Sequence, residues 1–429
     1  MSLITLKKPF LQKIKAFDKY FLEKPLYNEA YRLTLVMKGL TSMNKYPQIY
    51  LALDNCFASK RWTSPDEWSR LMAKMGVYRA EASADNECDP LYMDSDYLKD
   101  WVRAVAKAES ETGVKTANLY SGHGTYTTLG LAHADVRVRD RMQNRWLKPL
   151  MNSAKRLDAG IGFFCHAFSE QVLQSPPLYA QYEEDLYSRL GQLAAYWGAE
   201  NDRYVSIEQM YTPHQIPWTV SGAKKLIKSV YERSGAPMYI TIDSGHQSAQ
   251  RHYIKPEKEQ LAAISDESVW TGPEICRDII KRVRAGICPA SSGIEQIAEE
   301  IERFPFLFAD YNDGDTYYWL SSLAAYSPII HLQQTAGSGS HHLGFTAKNN
   351  AVGIIEGKRV LKAIAESYNQ APDPDMPPRC KEIHLTLELF FSTESYPADI
   401  ISDIRESAAY WRTFIPRDGM RLDELLKLI

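Results

Sequence analysis

Short apolar runs alternate with longer amphipathic ones from about residue 46 onward. Eight runs read as strands: "QIYLALD" (48–54), 77–83, 115–121, 160–168, 204–210, "YITID" (239–243), 328–334 and 382–391. Several are apolar on both faces, as parallel strands covered by helices are. Between them lie three-to-four periodic stretches. "SPDEWSRLMAKMG" carries Ser64 as N-cap, Pro65 at the first position and Gly76 as stop. "DSDYLKDWVRAVAKAESETG" aligns Leu98, Trp101, Val102 and Val105 on one face and stops at Gly113. Strand then helix, repeated, predicts an α/β fold, a (β/α)8 TIM barrel; an open doubly wound sheet is the alternative. The expected layout is one domain over 1–429, with a helical leader (1–45) and a barrel (46–415). Two connections are too long for simple crossovers. One is 248–327, read as an insertion or lid plus the sixth barrel helix. The other is "TAGSGSHHLGFTAKNN" after the seventh strand. Both leave the C-terminal ends of strands, the face where barrels build their sites.

Composition narrows the partners. The chain has 429 residues, 45% hydrophobic and 24% charged, with 50 basic and 53 acidic side chains for a net charge of −3. That balance argues against a polyanion as main partner. Six scattered cysteines form no C-x-x-C pair, which fits a reducing cytoplasm better than a disulfide framework or a zinc ribbon. No run is long enough to span a bilayer, and the N-terminus has no signal-peptide pattern.

Read together, the late strands bring candidate chemistry to one end of the barrel. Strand five carries Glu208 in "SIEQM", strand six delivers Asp243 with His246 beyond it in "DSGHQ", strand seven carries His331 in "IIHLQQ", and strand eight carries Glu388 in "LTLELFF". Singly, each has an ordinary reading: a polar barrel-end residue, a turn aspartate, a structural histidine. Jointly, three carboxylates cannot be buried side by side without compensation. A divalent cation resolves the conflict, and this donor set suits Mn²⁺ best, with Mg²⁺, Co²⁺ or Zn²⁺ as alternatives. His123, His166, Glu81 and His341 ring the same face as substrate contacts, with structural roles as the competing reading. Lys60 and Arg61, or the "GSGS" segment, are candidates for a phosphate, against a plain solvated loop.

In strand order and residue type, the chain resembles the xylose isomerase-like TIM-barrel superfamily of sugar isomerases, ketose 3-epimerases, inosose dehydratases and endonuclease IV. The resemblance implies Glu208, Asp243, His331 and Glu388 as metal ligands, Glu208 and Glu388 as the acid/base pair of an enediolate proton transfer, and His246 as a catalytic substrate contact. It implies a sugar or sugar-phosphate isomerase or epimerase with a small carbohydrate substrate, and a homo-oligomer. The alternatives are a metal-dependent dehydratase of a polyol or inosose, and an endonuclease IV-like repair nuclease. One departure stands out: the epimerases carry an arginine six residues after the metal histidine, where this chain has Gly337, with His341 and His342 nearby as replacements.

Overall fold

The expected strands form as β1 (Gln48–Asp54), β2 (Arg79–Ser83), β3 (Lys115–Ser121), β4 (Gly160–Phe163), β5 (Val205–Glu208), β6 (Tyr239–Asp243), β7 (Ile329–Leu332) and β8 (Glu382–Leu387). A computed structural model describes residues 45–122, 128–164, 166–262 and 269–429, so the leader up to residue 44 lies outside the described residues. Each strand runs parallel to the next, and β1 pairs with both β8 and β2. The sheet therefore closes into an eight-stranded barrel. β9 (Met420–Arg421) adds an antiparallel pair to the first residues of β1. Strands four, five, seven and eight end earlier than the apolar runs suggested, because their last residues leave the ladder for the C-terminal loops.

The helices follow their caps. Helix Pro65–Lys74 opens with the Ser64 hydroxyl accepting the Glu67 N–H, and Glu67 returns its carboxylate to the Thr63 N–H, a reciprocal cap of two orphan donors. Helix Ser95–Thr112 buries Leu98, Trp101, Val102 and Val105 and stops at left-handed Gly113. In the long segment after β6, helices Glu274–Arg284 and Ala290–Arg303 pack on one another, and Thr316–Leu323 lies beside helix Gly357–Asn369 in the barrel wall. Asp315 caps Thr316–Leu323, its side chain accepting the Tyr317 N–H at 2.8 Å. Asp313 is a staple, accepting the N–H groups of Val220 and Asp310 at 2.8 Å each.

Inside the barrel, β4 is built small. A Cβ at Gly162 would lie 2.9 Å from the Tyr120 ring. Tyr120 thereby reaches across the interior toward β5, which matters for the site. The five described cysteines are free, and no described helix is long and apolar enough to cross a membrane.

Candidate metal centre

Glu208 ends β5, Asp243 ends β6, His331 lies in β7 and Glu388 follows β8. Parallel pairing sets Asp243 directly beside His331. One ligand atom from each of the four lies within 4.8 Å of all the others, and all four side chains are buried. His331 Nδ1 is 3.1 Å from Glu208 Oε1 and 3.4 Å from Glu388 Oε2. Glu388 Oε2 is also 3.2 Å from His342 Nδ1, yet it has no hydrogen bond of proper geometry. It is charge-paired but unsatisfied as an acceptor.

Glu208 and Asp243 are held from behind. The Tyr120 hydroxyl donates to Glu208 Oε2. Asp243 Oδ1 accepts the N–H of Gly245 at 2.6 Å and of His246 at 3.2 Å, and the Gln333 amide donates to both Asp243 oxygens at 2.8 and 3.0 Å. This explains the glycine of "DSGH". A Cβ on Gly245 would fall 2.4 Å from Gln333 Cδ, so close approach, and not a left-handed backbone, excludes a side chain there. Gln333 Oε1 accepts the N–H of His342 at 2.7 Å. His342 itself has φ of 49°, a left-handed conformation that costs a non-glycine on the order of 1–3 kcal/mol and is found at functional sites. Its ring stacks on Phe390 at 3.9 Å.

The electrostatics follow from crowding. Burial and then the Glu81 and Glu388 carboxylates push Asp54 well above the usual range. Burial opposes a charged His331, but Glu388 and Glu81 outweigh it and raise the imidazolium well above its ordinary value. The same contest at His342, with Glu388 the main carboxylate, ends at about 9. Burial also opposes the charge on Glu388, and His331 and His342 overcome it, holding the carboxyl below its ordinary value. Protons on histidines thus balance the buried carboxylates. Three carboxylate donors, one imidazole and an unsatisfied oxygen fit a divalent cation, which would take over that charge balance.

The centre forms part of the wall of a cavity of about 410 Å³ whose wall includes Asp54, Tyr120, Glu208, His246, His342 and Glu388. A second cavity, about 470 Å³, flanks helix Pro176–Trp197. Its Lys225 and Arg303 are already paired with Glu183 and Glu300, and no described metal-competent cluster borders it.

No family model matches the chain. A protein of Rhodospirillum rubrum provisionally described as a xylose isomerase superposes with a TM-score of 0.60 at 17% identity, over 85% of this chain and 98% of its own. The likeness is one of fold, a (β/α)8 barrel. An L-ribulose 3-epimerase aligns over 88% of this chain and 95% of its own, with 13% identity and a TM-score of 0.49. In sequence, D-erythrulose 1-phosphate 3-epimerase of Brucella abortus (strain 2308) is 35% identical over 107 residues, a segment spanning 25% of this chain and 31% of that enzyme.

On this barrel the expected substrate contacts divide. His246 lines the cavity; its Nδ1 faces the Gln209 carbonyl at 2.8 Å, and its Nε2 is 3.8 Å from Asp243. Glu81 does not reach the cavity. It is fully buried behind His331, with Oε1 2.7 Å from His331 Nε2. His166 is a structural residue, fully buried and bonded to the Ile216 carbonyl, and burial lowers it to about 4. His341 is exposed, while its neighbour His342 takes the place in the wall. His123 lies outside the described residues. Arg61 is spent on the carbonyls of Ser392, Thr393 and Ser395, which leaves the phosphate reading of that pair without support. No described residue of 248–327 lines the cavity. Sequence reasoning missed Tyr120 and Gln333. Signals existed: "GIG" in β4 leaves room for a large neighbour, and Gln333 shares the strand face of His331.

Proposed function

We propose that the protein is a divalent-metal-dependent epimerase or isomerase of a sugar or sugar phosphate. The observation that carries this is the convergence of Glu208, Asp243, His331 and Glu388 at the C-terminal end of the barrel, with Glu208 and Glu388 in the wall of a cavity of about 410 Å³. Those four residues would hold the cation, with Mn²⁺ the best match to a set of three carboxylates and one imidazole. When bound, it supplies Lewis-acid polarisation of a substrate carbonyl.

The chain's own groups do the rest. Glu208 and Glu388 are the acid/base pair: one removes the carbon-bound proton to give an enediolate, and the other returns a proton to it. The Tyr120 hydroxyl holds Glu208 in one orientation. His246 is tied to the Gln209 carbonyl through Nδ1, so Nδ1 carries the hydrogen and Nε2 is left to accept from a substrate hydroxyl. His342, stacked on Phe390, is the second imidazole facing the substrate, in place of the expected His341. The segment shared with the erythrulose phosphate enzyme favours epimerisation over aldose–ketose exchange.

The test is proton exchange. Metal-loaded protein is incubated in D₂O with a panel of free ketoses and ketose 1-phosphates, and deuterium at the carbon beside the carbonyl is followed by NMR. Exchange with configurational change supports the proposal. Loss of water from the substrate would make the protein a dehydratase. Nicking of abasic DNA at trace enzyme, without exchange on any sugar, would replace the proposal with a repair nuclease.

A further inference from the structure

We propose that Glu81 is a positioning residue for His331: it fixes the imidazole so that Nδ1 is the nitrogen offered to the cation, and it thereby sets the affinity of the centre for divalent metal. The inference rests on the metal-dependent reading above.

Glu81 is the third residue of β2 and Asp54 its register partner on β1. It is fully buried, absent from the cavity wall, and 2.7 Å from His331 Nε2. A carboxylate only accepts, so the proton of a neutral imidazole sits on Nε2 toward Glu81, and Nδ1 keeps its lone pair. That lone pair points among Glu208 Oε1 at 3.1 Å and Glu388 Oε2 at 3.4 Å. With no cation there, a second proton on Nδ1 answers the two carboxylates; a cation that takes its place meets the lone pair. The competing tautomer would put its hydrogen on Nδ1, bond to Glu208 and obstruct coordination. Glu81 selects against that tautomer. The Tyr120 ring, edge-on at 4.7 Å, blocks rotation.

A plain packing role would not need a carboxylate here. Glu81 Oε2 is buried with no hydrogen-bond partner, an arrangement that costs on the order of 1–3 kcal/mol. A buried acceptor left with one oxygen unpaired is explained if its job is to orient a metal ligand. Removing such an outer partner typically weakens metal binding about 10–100-fold.

The experiment is Mn²⁺ titration into apo protein by calorimetry, for wild type, Glu81→Leu, Glu81→Gln and Glu81→Asp, with thermal unfolding of each apo form. Glu81→Leu is expected to weaken Mn²⁺ binding by about 10–100-fold. Glu81→Gln keeps an acceptor toward Nε2 and is expected to recover most of that loss. Glu81→Asp keeps the charge but withdraws the acceptor by one methylene, and is expected to bind weakly; it serves if the leucine variant does not fold. Equal Mn²⁺ affinity in wild type, Glu81→Leu and Glu81→Asp overturns the inference and leaves the proposed function standing. Glu81→Gln binding as poorly as Glu81→Leu also overturns it, since charge and not orientation would then matter. If the wild type binds no divalent ion at all, the function proposal falls and takes this inference with it.

Discussion

Two buried histidines on neighbouring strands live in opposite worlds. His331 on β7 stands at the C-terminal end among Glu81, Glu208 and Glu388, and its charge is favoured. His384, at the start of β8, stacks on Tyr50 at 5.1 Å with Nδ1 unpartnered. Burial, then Arg79 and Arg203, lower it to about 3. Around His384 most charges are paired, Arg203 with Asp158 and Glu382 and Arg412 with Asp418, while the Arg79 guanidinium lies over the Tyr50 ring at 5.0 Å. At the other end carboxylates outnumber their partners. Balanced charge closes a barrel; unbalanced buried charge awaits a ligand.

The contrast breaks most sharply at the acid/base pair. Glu208→Gln or Glu388→Gln is expected to lower proton exchange by about 10²–10⁴-fold, with a much smaller effect on apo stability, because in either variant the other carboxylate still faces His331 Nδ1. An apo form that melts well below wild type would mean that these carboxylates hold the fold together, as the charges at the other end do.

Metal sharpens it next. At a hundredfold excess over its dissociation constant, Mn²⁺ should add about 2.7 kcal/mol to stability, read as a rise in melting temperature reversed by EDTA. Arg203→Gln, at the opposite end, should lower the melting temperature with and without Mn²⁺ and leave the size of the Mn²⁺ shift unchanged. A shift that shrinks in Arg203→Gln would show that the two ends are coupled.

Acid reports on the other histidine. Unfolded His384 takes up a proton below about pH 6.5, whereas folded His384 resists down to about 3. Between those values the unfolded chain binds more protons, so stability falls as pH falls. This one group contributes a slope of at most about 1.4 kcal/mol per pH unit. His384→Phe keeps the stack and should flatten urea midpoints measured in EDTA from pH 6.5 downward. An unchanged slope would mean that His384 is protonated in the folded protein.

What could be read in advance follows the same divide. Barrel closure, the strand order and the convergence of Glu208, Asp243, His331 and Glu388 were legible, because each depends on period-two parity and on where an apolar run stops. The contacts behind the ligands were not. Glu81 and His331 meet only because the barrel closes, and no local pattern tells a carboxylate that faces substrate from one that faces a histidine. His166 misled for the same reason, its partner being the distant Ile216 carbonyl. That Gly245 must lack a side chain follows only from the packing, where Gln333 would meet it.

The choice between His341 and His342 is the finest case and carries the smallest effect. Adjacent residues in an extended segment face opposite ways, so one of the pair had to point out, and the sequence does not say which. The left-handed turn at His342, tied to Gln333 and stacked on Phe390, puts that ring in the wall and leaves His341 exposed. His342→Asn keeps a residue tolerant of this backbone and should raise KM about tenfold, as loss of one buried polar contact does, with Mn²⁺ affinity little changed. His341→Ala should move KM and stability by no more than about 0.5 kcal/mol, as exposed substitutions do. If His341→Ala were the more damaging of the two, the loop would have to turn over when substrate binds, and the cavity wall drawn from His342 would belong to the free protein alone.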